Sequence, residues 1–262
     1  MGGVVTVHFD LSWPMLVFLW SMVFLGGFLD SAAGGGGLIS LPAYLFTGMP
    51  TYVAFSSNKF SGACGTTFAA VRFFANGALD LRVALIAAVG SLIGSAVASR
   101  IVLFIDEGLL KAALAVAIPI AAVIVMCKRN YGEIDRSSEL GTKSALSLSL
   151  LIGTMIGAYD GMIGPGTGTF AIMAFAALMK YDLKTASGNA KVLNMASNYG
   201  SIVVFALAGT IDYTIALPAG LFGILGSYLG SGYAIKKGAK FIRPAMMVVM
   251  VLLLGKVLFD LL

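Results

Sequence analysis

The chain has 262 residues, of which 59% are hydrophobic and only 11% are charged, and its formal net charge is +5. A soluble domain carries about 25% charged residues, so the excess apolar surface of this chain must face lipid. The composition therefore excludes an ordinary soluble enzyme or binding domain. The positive charge lies mainly in loops, which indicates membrane orientation and no nucleic-acid partner.

Five helical segments are predicted in the first half of the chain, which we place at residues 1–127. In order they are Ser12–Asp30, Leu38–Thr47, Tyr52–Asn76, Leu81–Phe104 and Glu107–Met126. The second segment is too short to cross a bilayer, which takes roughly 20 residues. A run of glycines precedes it and a Gly-Met-Pro turn follows it, so the backbone is interrupted on both sides.

A polar loop, residues 128–142, separates this half from the second half, residues 143–262. Five further segments are predicted there: Lys143–Asp160, Gly168–Met179, Lys184–Ala208, Asp212–Ile235 and Phe241–Leu261. The second of these is again short and again follows a glycine-rich break. The predicted fold is therefore all-α and integral to the membrane.

The two halves resemble each other at scarce polar residues. Asp30 with its glycine run matches Asp160 with a second run, and Asn58-Lys59 matches Asn189 and Lys191. Further pairs coincide at 132 residues, the offset of the two lysines: Phe73/Phe205, Gly77/Gly209, Asp80/Asp212, Gly94/Gly226, Ser95/Ser227 and Lys111/Arg243. The chain is predicted to consist of two repeats of five segments in one membrane domain.

Basic residues predict the orientation in the membrane. They occur in the central loop and in a predicted loop from Lys236 to Arg243, so both should be cytoplasmic. The segments before Ser12, at 48–52 and at 209–214 contain no Lys or Arg and should be external. An odd number of segments per half makes the repeats inverted. Both termini are then expected outside a multi-pass cell membrane, such as a prokaryotic plasma or inner membrane.

The glycine-rich breaks are the first candidate site. Inverted repeats with discontinuous helices are typical of transporters, and non-helical backbone at membrane depth lines a cavity or is buried in protein. Each break begins a short helix, whose free N–H groups and partial positive charge attract anions. Close helix packing is the alternative explanation for such glycines. Six break residues are candidate substrate-binding residues: Gly35, Gly36, Gly37, Gly166, Thr167 and Gly168.

Two lysines inside predicted helices form the second candidate site. A cationic side chain at that depth costs several kcal/mol unless it is paired or hydrated, so it indicates function. The alternative is that each lysine extends its amine to the headgroups. Two lysines at equivalent positions, each near an asparagine and hydroxyl groups, favour an anion site. The candidate substrate-binding residues here are Ser57, Asn58, Lys59, Asn189 and Lys191.

Asp30 and Asp160 close the first predicted helix of each half and are candidate coupling residues. They could pair with the lysines, carry a proton, or lie at the membrane interface as helix-end charges. The sequence predicts no metal ligands, no cofactor and no nucleophile–base pair, which argues against a membrane enzyme.

The run GGGGLISLPAYLFTGMPTYVAFSSNK, Gly34 to Lys59, and its degenerate copy from Gly164 to Lys191 resemble the sulfite exporter TauE/SafE family. The resemblance covers nearly the whole chain. It implies a permease for small sulfur oxyanions and organosulfur anions such as sulfite and sulfoacetate. The second copy departs from the pattern, because Pro165 and Thr167 interrupt its glycines and Ala190 separates its asparagine from its lysine.

The sequence therefore predicts a secondary transporter for a small sulfur-containing anion, bound between the repeats by helix N-termini and lysines. It has no P-loop, so transport should not use ATP. An anion channel and a transporter of another small organic anion remain as alternatives. A membrane anchor is disfavoured because it would need neither the repeat nor the lysines. The expected partners are the anion and the lipid bilayer.

Overall fold

The structure is a computed structural model that describes residues 9–105 and 132–261. This part of the chain is helical, with nine α-helices and a short 3₁₀ turn at Ser137–Glu139. The helices are α1 Trp13–Ala33, α2 Gly37–Phe46, α3 Thr51–Ala75, α4 Leu81–Val102, α5 Thr142–Met162, α6 Thr167–Ala177, α7 Leu183–Leu207, α8 Tyr213–Lys237 and α9 Ala239–Leu261.

Nine of the ten predicted segments are confirmed as helices, and the tenth, Glu107–Met126, lies outside the described residues. The prediction that Asp30 closes the first helix is wrong, because α1 continues to Ala33. It ends at Gly34, whose φ of 81° is left-handed and whose N–H donates to the Asp30 carbonyl at 2.7 Å. Asp30 therefore lies inside the last turn of the helix. Asp160 likewise precedes the end of α5.

The basic loop predicted before the last segment is also shorter than expected. Helix α8 includes Lys236 and Lys237, and only Gly238 separates it from α9. Lys240 and Arg243 therefore lie in the first turns of α9 and not in a loop.

Four described helices, α1, α4, α5 and α8, are long and apolar enough to cross a membrane. Large apolar side chains on the outer surface of α4, such as Leu92, Ile93 and Val97, are about half exposed. Helices α2 and α6 are apolar but have only 10 and 11 residues. Helices α3 and α7 have 25 residues each, enough for a span of about 37 Å, and carry the polar side chains described below. The chain is an integral membrane protein.

Helices from the two halves interleave. Helix α1 packs most extensively along α8, and α4 packs along α5 and α7, while α3 contacts both α7 and α8. Close backbone approach makes these interfaces tight. A Cβ added at Gly153, Gly157 or Gly161 of α5 would come within 2.1–2.4 Å of a backbone oxygen of α4, and one at Gly226 or Gly230 of α8 within 2.0–2.2 Å of α1. Small residues at four-residue spacing typically pack membrane helices in this way.

Helices α3 and α7 run antiparallel along the molecule. The loop after α3 meets the start of α7, because Tyr181 donates its hydroxyl to Asp80 Oδ2 at 2.6 Å. At the other end, the loop after α7 meets the start of α3, because Ser56 donates to the carbonyl of Thr210 at 2.7 Å. The described part of the central loop lies at the first of these ends, where Glu139 binds Lys180 at 2.6 Å.

Candidate functional site

A cavity of about 60 Å³ lies where the two breaks meet α3 and α7. Eight of the residues singled out from the sequence line it: Asp30, Gly36, Gly37, Asn58, Lys59, Asp160, Thr167 and Gly168. A cavity needs roughly 10–15 Å³ to hold one water molecule. This cavity therefore has room for about four atoms or groups the size of a water molecule, which is enough for the compact head group of a small oxyanion.

The two breaks cross in direct backbone contact. A Cβ at Gly34 would lie 2.0 Å from the carbonyl carbon of Gly168. The N–H of Thr169 donates to the Gly34 carbonyl at 3.2 Å, and its hydroxyl donates to the Ala33 carbonyl at 2.6 Å. Gly34 therefore serves close packing, whereas Gly37, whose Cβ would meet nothing closer than 3.5 Å, faces the cavity. The glycine run therefore has both of the roles considered from the sequence, because one glycine allows close packing and another lines the cavity.

Each short helix begins beside the aspartate of its own half. Asp30 Oδ1 accepts a hydrogen bond from the N–H of Gly36 at 3.4 Å, at the start of α2. Asp160 Oδ1 accepts one from the hydroxyl of Thr167 at 2.8 Å, at the start of α6. The carboxylates therefore lie near the positive ends of the two short helices.

The two lysines pair crosswise with these aspartates. Lys59 Nζ of the first half lies 2.5 Å from Asp160 Oδ2 of the second, and Lys191 Nζ of the second lies 2.8 Å from Asp30 Oδ2 of the first. Lys191 also donates to the backbone carbonyl of Asp30. The side chain of Lys59 is 4% exposed and that of Lys191 is fully buried, so neither amine reaches the surface.

Such pairs are expensive to place inside a membrane protein. Desolvation of two charges offsets much of their attraction, so a buried pair adds little net stability. Removing one partner nevertheless costs about 3–5 kcal/mol, because the other charge is left uncompensated. Charged residues at membrane depth therefore usually mark a pathway for ions or substrates.

Ser57 and Asn189 do not line the cavity, and each instead accepts a hydrogen bond from a backbone N–H at the start of another helix. Ser57 Oγ accepts a hydrogen bond from the N–H of Asp212 at 3.0 Å, and Asn189 Oδ1 accepts one from the N–H of Asp80 at 2.9 Å. Each thereby holds the residue that caps a long helix, α8 or α4. The sequence offset of 132 residues relates these two contacts to each other.

Three further predicted residues also lie outside the lining. A Cβ at Gly35 would meet the Val249 side chain at 2.2 Å, so this glycine packs against α9. Gly166, with φ of 86°, precedes the first residue of α6 in a left-handed turn. Lys191 does not line the cavity itself but is paired with Asp30, which does.

Sequence reasoning missed several polar residues of the cavity wall. Asn194 and Asn198 of α7 line it, and Asn198 donates to the hydroxyl of Thr66 on α3 at 3.3 Å. A signal for the two asparagines was present, because they follow Lys191 at three and seven residues and so share one face of the helix. Thr66 and Ser227 also line the cavity, but no regular spacing from a charged residue distinguishes them in the sequence.

The described residues, 9–105 and 132–261, contain no group of three or more His, Cys, Asp or Glu side chains that could hold a metal ion. The cavity instead presents one ammonium, several amide and hydroxyl groups, and two carboxylates. Ammonium, amide and hydroxyl groups are hydrogen-bond donors suited to an anion.

Comparison with known proteins agrees with this architecture. Residues 19–257 match the family described as Sulfite exporter TauE/SafE. The chain is 35% identical to a Sinorhizobium protein named probable membrane transporter protein ORF9, covering 96% of this chain and 95% of that one. It is 32% identical to a probable membrane transporter protein of Haemophilus influenzae, covering 96% and 97%, and 30% identical to YfcA of Escherichia coli K12, covering 96% and 93%. No solved structure matches significantly. The chain therefore belongs to the sulfite exporter TauE/SafE family of membrane transporters.

Proposed function

We propose that this protein is a secondary transporter that binds a small sulfur-containing anion, such as sulfite or an organosulfonate, in the cavity at Lys59. The observation that carries the proposal is the position of the Lys59 ammonium. It is 4% exposed, lines the cavity, and is surrounded by uncharged donors as well as by the carboxylate of Asp160.

The chemistry of the lining supports a compact oxyanion. Asn58, Asn198, Thr66 and Ser227 supply amide and hydroxyl groups around Lys59. None of the described lining residues is arginine, whose planar fork usually binds carboxylates and phosphates through two bonds. Lysine acts as a point charge and suits the three-fold head of a sulfite or sulfonate. The family's description as sulfite exporters supports the choice of sulfur.

We further propose that residues 1–127 and 143–262 are inverted repeats with the substrate between them. Related contacts support this. The crossed ion pairs exchange partners between the halves, and the hydrogen bonds Thr66–Asn198 and Thr67–Tyr199 each join residues at the repeat offset of 132. A residue that contacts its own equivalent lies near a two-fold axis. Inverted repeats place the substrate site at such an interface.

The orientation that we propose has both termini outside a plasma or inner membrane and the loop 128–142 in the cytoplasm. Two observations support it. Glu133 of the loop binds Arg243 at 3.1 Å. The basic residues of α9 therefore lie at the same end of the molecule as the loop. Phe9, from the N-terminal segment without basic residues, donates its N–H to Asp212 at the opposite end at 3.0 Å. Basic residues favour the cytoplasmic side.

Flux into reconstituted vesicles tests the proposed substrate. Labelled sulfite, sulfoacetate and 2-hydroxyethanesulfonate are offered separately, with acetate and lactate as competitors. At least one sulfur anion should enter at a rate that saturates with concentration, and the carboxylates should compete weakly. Transport of carboxylates or cations alone would contradict the sulfur assignment, and a flux that rises without saturation would indicate a channel.

A further inference from the structure

The two ion pairs leave the site without net charge. Lys59 with Asp160 and Lys191 with Asp30 form two positive and two negative groups. Lys59 and Asp160 face the cavity together, and their side chains are each 4% exposed. A single anion added to this arrangement would give a net charge of −1 inside a closed membrane protein, where an uncompensated charge is strongly disfavoured.

Resting on the proposed transport function, we propose that each singly charged anion is carried with one proton, held by Asp160, and that Lys59 exchanges the Asp160 carboxylate for the anion. A hydronium ion in the water of the cavity gives a proton to Asp160 Oδ2. One O–H bond of the hydronium breaks and leaves water, and one O–H bond forms on the carboxyl as Lys59 leaves it. The loaded site is then neutral. On the far side the anion departs and the Asp160 O–H bond breaks. Its proton passes to water as hydronium, and Lys59 returns to the carboxylate.

The surroundings of Asp160 can hold its neutral form. Asp160 Oδ1 accepts a bond from Thr167 at 2.8 Å, and Oδ2 accepts one from Ser197 at 2.6 Å. A hydroxyl can reverse from donor to acceptor, so these partners remain bonded when the carboxyl carries a proton. Ser197, the partner of Oδ2, has a second acceptor for its own proton in the Asn194 carbonyl, at 2.9 Å.

Asp30 does not fit the same role. Its partner Lys191 is fully buried and donates to both the carboxylate and the backbone carbonyl of Asp30. The N–H of Gly36 also points at the Asp30 carboxylate, at 3.4 Å. Because Lys191 does not line the cavity and is bonded twice to Asp30, Asp30 keeps its lysine and its charge.

The helices packed on α5 bring no second charged group to Asp160. Helix α6 contains no charged residue, and Arg82 and Arg100 of α4 are exposed. On α7, Lys184 lies in the first turn and Lys191 is bonded to Asp30. Lys59, which reaches Asp160 from α3, is therefore the cation that its protonation releases.

Across the cavity, Asp30 is the other charged group, and Lys191 compensates its charge. The remaining neighbours of Asp160 are neutral. Tyr159, the adjacent residue on α5, donates its hydroxyl to the Pro165 carbonyl at 2.8 Å. Ser99 of α4 donates to the Gly161 carbonyl at 3.2 Å. A sodium ion in place of the proton would lie beside the Lys59 ammonium and be repelled by it. This favours a proton as the coupling ion.

Vesicles that contain the wild-type protein and a pH-sensitive dye show whether a proton moves with the anion. The probe is 2-hydroxyethanesulfonate, an acid too strong to carry a proton itself at neutral pH. Its uptake should acidify the lumen by one proton per anion, and an acidic outside should drive accumulation without sodium. Uptake without acidification, or uptake that requires sodium, would overturn the proton assignment while leaving transport intact.

If the probe does not enter, methanesulfonate, which is also singly charged, and then sulfite take its place, with the sulfite signal corrected by protein-free vesicles. Failure of every anion to enter would overturn the proposed function and this inference with it.

The variant Asp160→Asn isolates the group that carries the proton. It should lose acidification and at least tenfold of the accumulation driven by the pH gradient, and these losses should exceed any loss of exchange of internal for external anion. Asp212→Asn is the matched control, since Asp212 is also fully buried but caps α8 outside the cavity, a role that asparagine fills as well. Proton movement that persists in Asp160→Asn would overturn the assignment. If this variant does not fold, the dye measurement on the wild-type protein still shows whether a proton is carried with the anion.

Discussion

At the residue scale, the molecule is organised around two lysines placed eight residues into two 25-residue helices, about 12 Å from the helix start. Their position inside long helices could be predicted, and they attract attention because lysine is rare in apolar helices and recurs at the repeat offset. Their partners could not be predicted from spacing. Each lysine lies closer in sequence to the aspartate of its own half, yet bonds the aspartate of the other half, and only the crossing of the chains determines that choice.

The crossed pairing predicts a specific pattern of rescue. Lys59→Met leaves Asp160 buried and unpaired, at a cost of about 3–5 kcal/mol, which lowers the unfolding temperature by on the order of 10 °C. Adding Asp160→Asn should recover most of that loss, because no charge then remains in the pair. Thermal unfolding in detergent measures both effects.

The control for this rescue is Lys59→Met combined with Asp30→Asn. This combination should be no more stable than Lys59→Met alone, because it frees Lys191 as a second unpaired charge. Equal rescue by Asp30→Asn and Asp160→Asn would contradict the crossed pairing.

At the element scale, the breaks between long and short helices could be predicted from the glycine runs, and their contact could not. Nothing in the sequence shows that Gly34 meets Gly168 backbone to backbone, because the two residues belong to different halves. The asparagines of α7 were missed for another reason. Their common face with Lys191 is visible from the helical period, but polar residues on that face indicate a cavity only once α3 is known to lie opposite.

The contact between the breaks predicts that Gly168→Ala destabilises the protein. The new Cβ would lie 2.4 Å from Gly34 Cα, and overpacking of this kind costs about 1–3 kcal/mol or more. Gly62→Ala is the matched control in α3, because its Cβ would meet nothing closer than the Asn198 amide nitrogen at 4.0 Å. Thermal unfolding should separate the two variants by several degrees. Equal unfolding temperatures would show that the breaks move apart freely.

At the scale of the whole molecule, composition and basic residues were enough to predict a membrane protein, and the family match agrees. The packing of helices from one half against helices from the other half could not be predicted from the sequence. An apolar helix has little sequence preference for one apolar neighbour over another, so the packing of α1 on α8 and of α4 on α5 follows from small residues that could equally face other helices.

The proposed orientation predicts which loops a membrane-impermeant thiol reagent reaches in intact cells. In a background with Cys64 and Cys127 replaced by serine, a cysteine at Ser12 should be labelled and one at Ser138 should not. Both positions are exposed, so accessibility within the protein does not confuse the result. Labelling of Ser138 in permeabilised cells provides the control. Labelling of Ser138 alone in intact cells would reverse the topology.

The central claim, that an anion binds Lys59 in the cavity between the halves, is tested most directly by calorimetric titration with sulfoacetate. Wild-type protein should bind it, and Lys59→Gln should lose about 2–5 kcal/mol of binding free energy, at least roughly 30-fold in affinity. Lys180→Gln removes an exposed lysine that does not line the cavity, and this variant should bind like the wild type. Wild-type affinity in a folded Lys59→Gln variant would contradict the account.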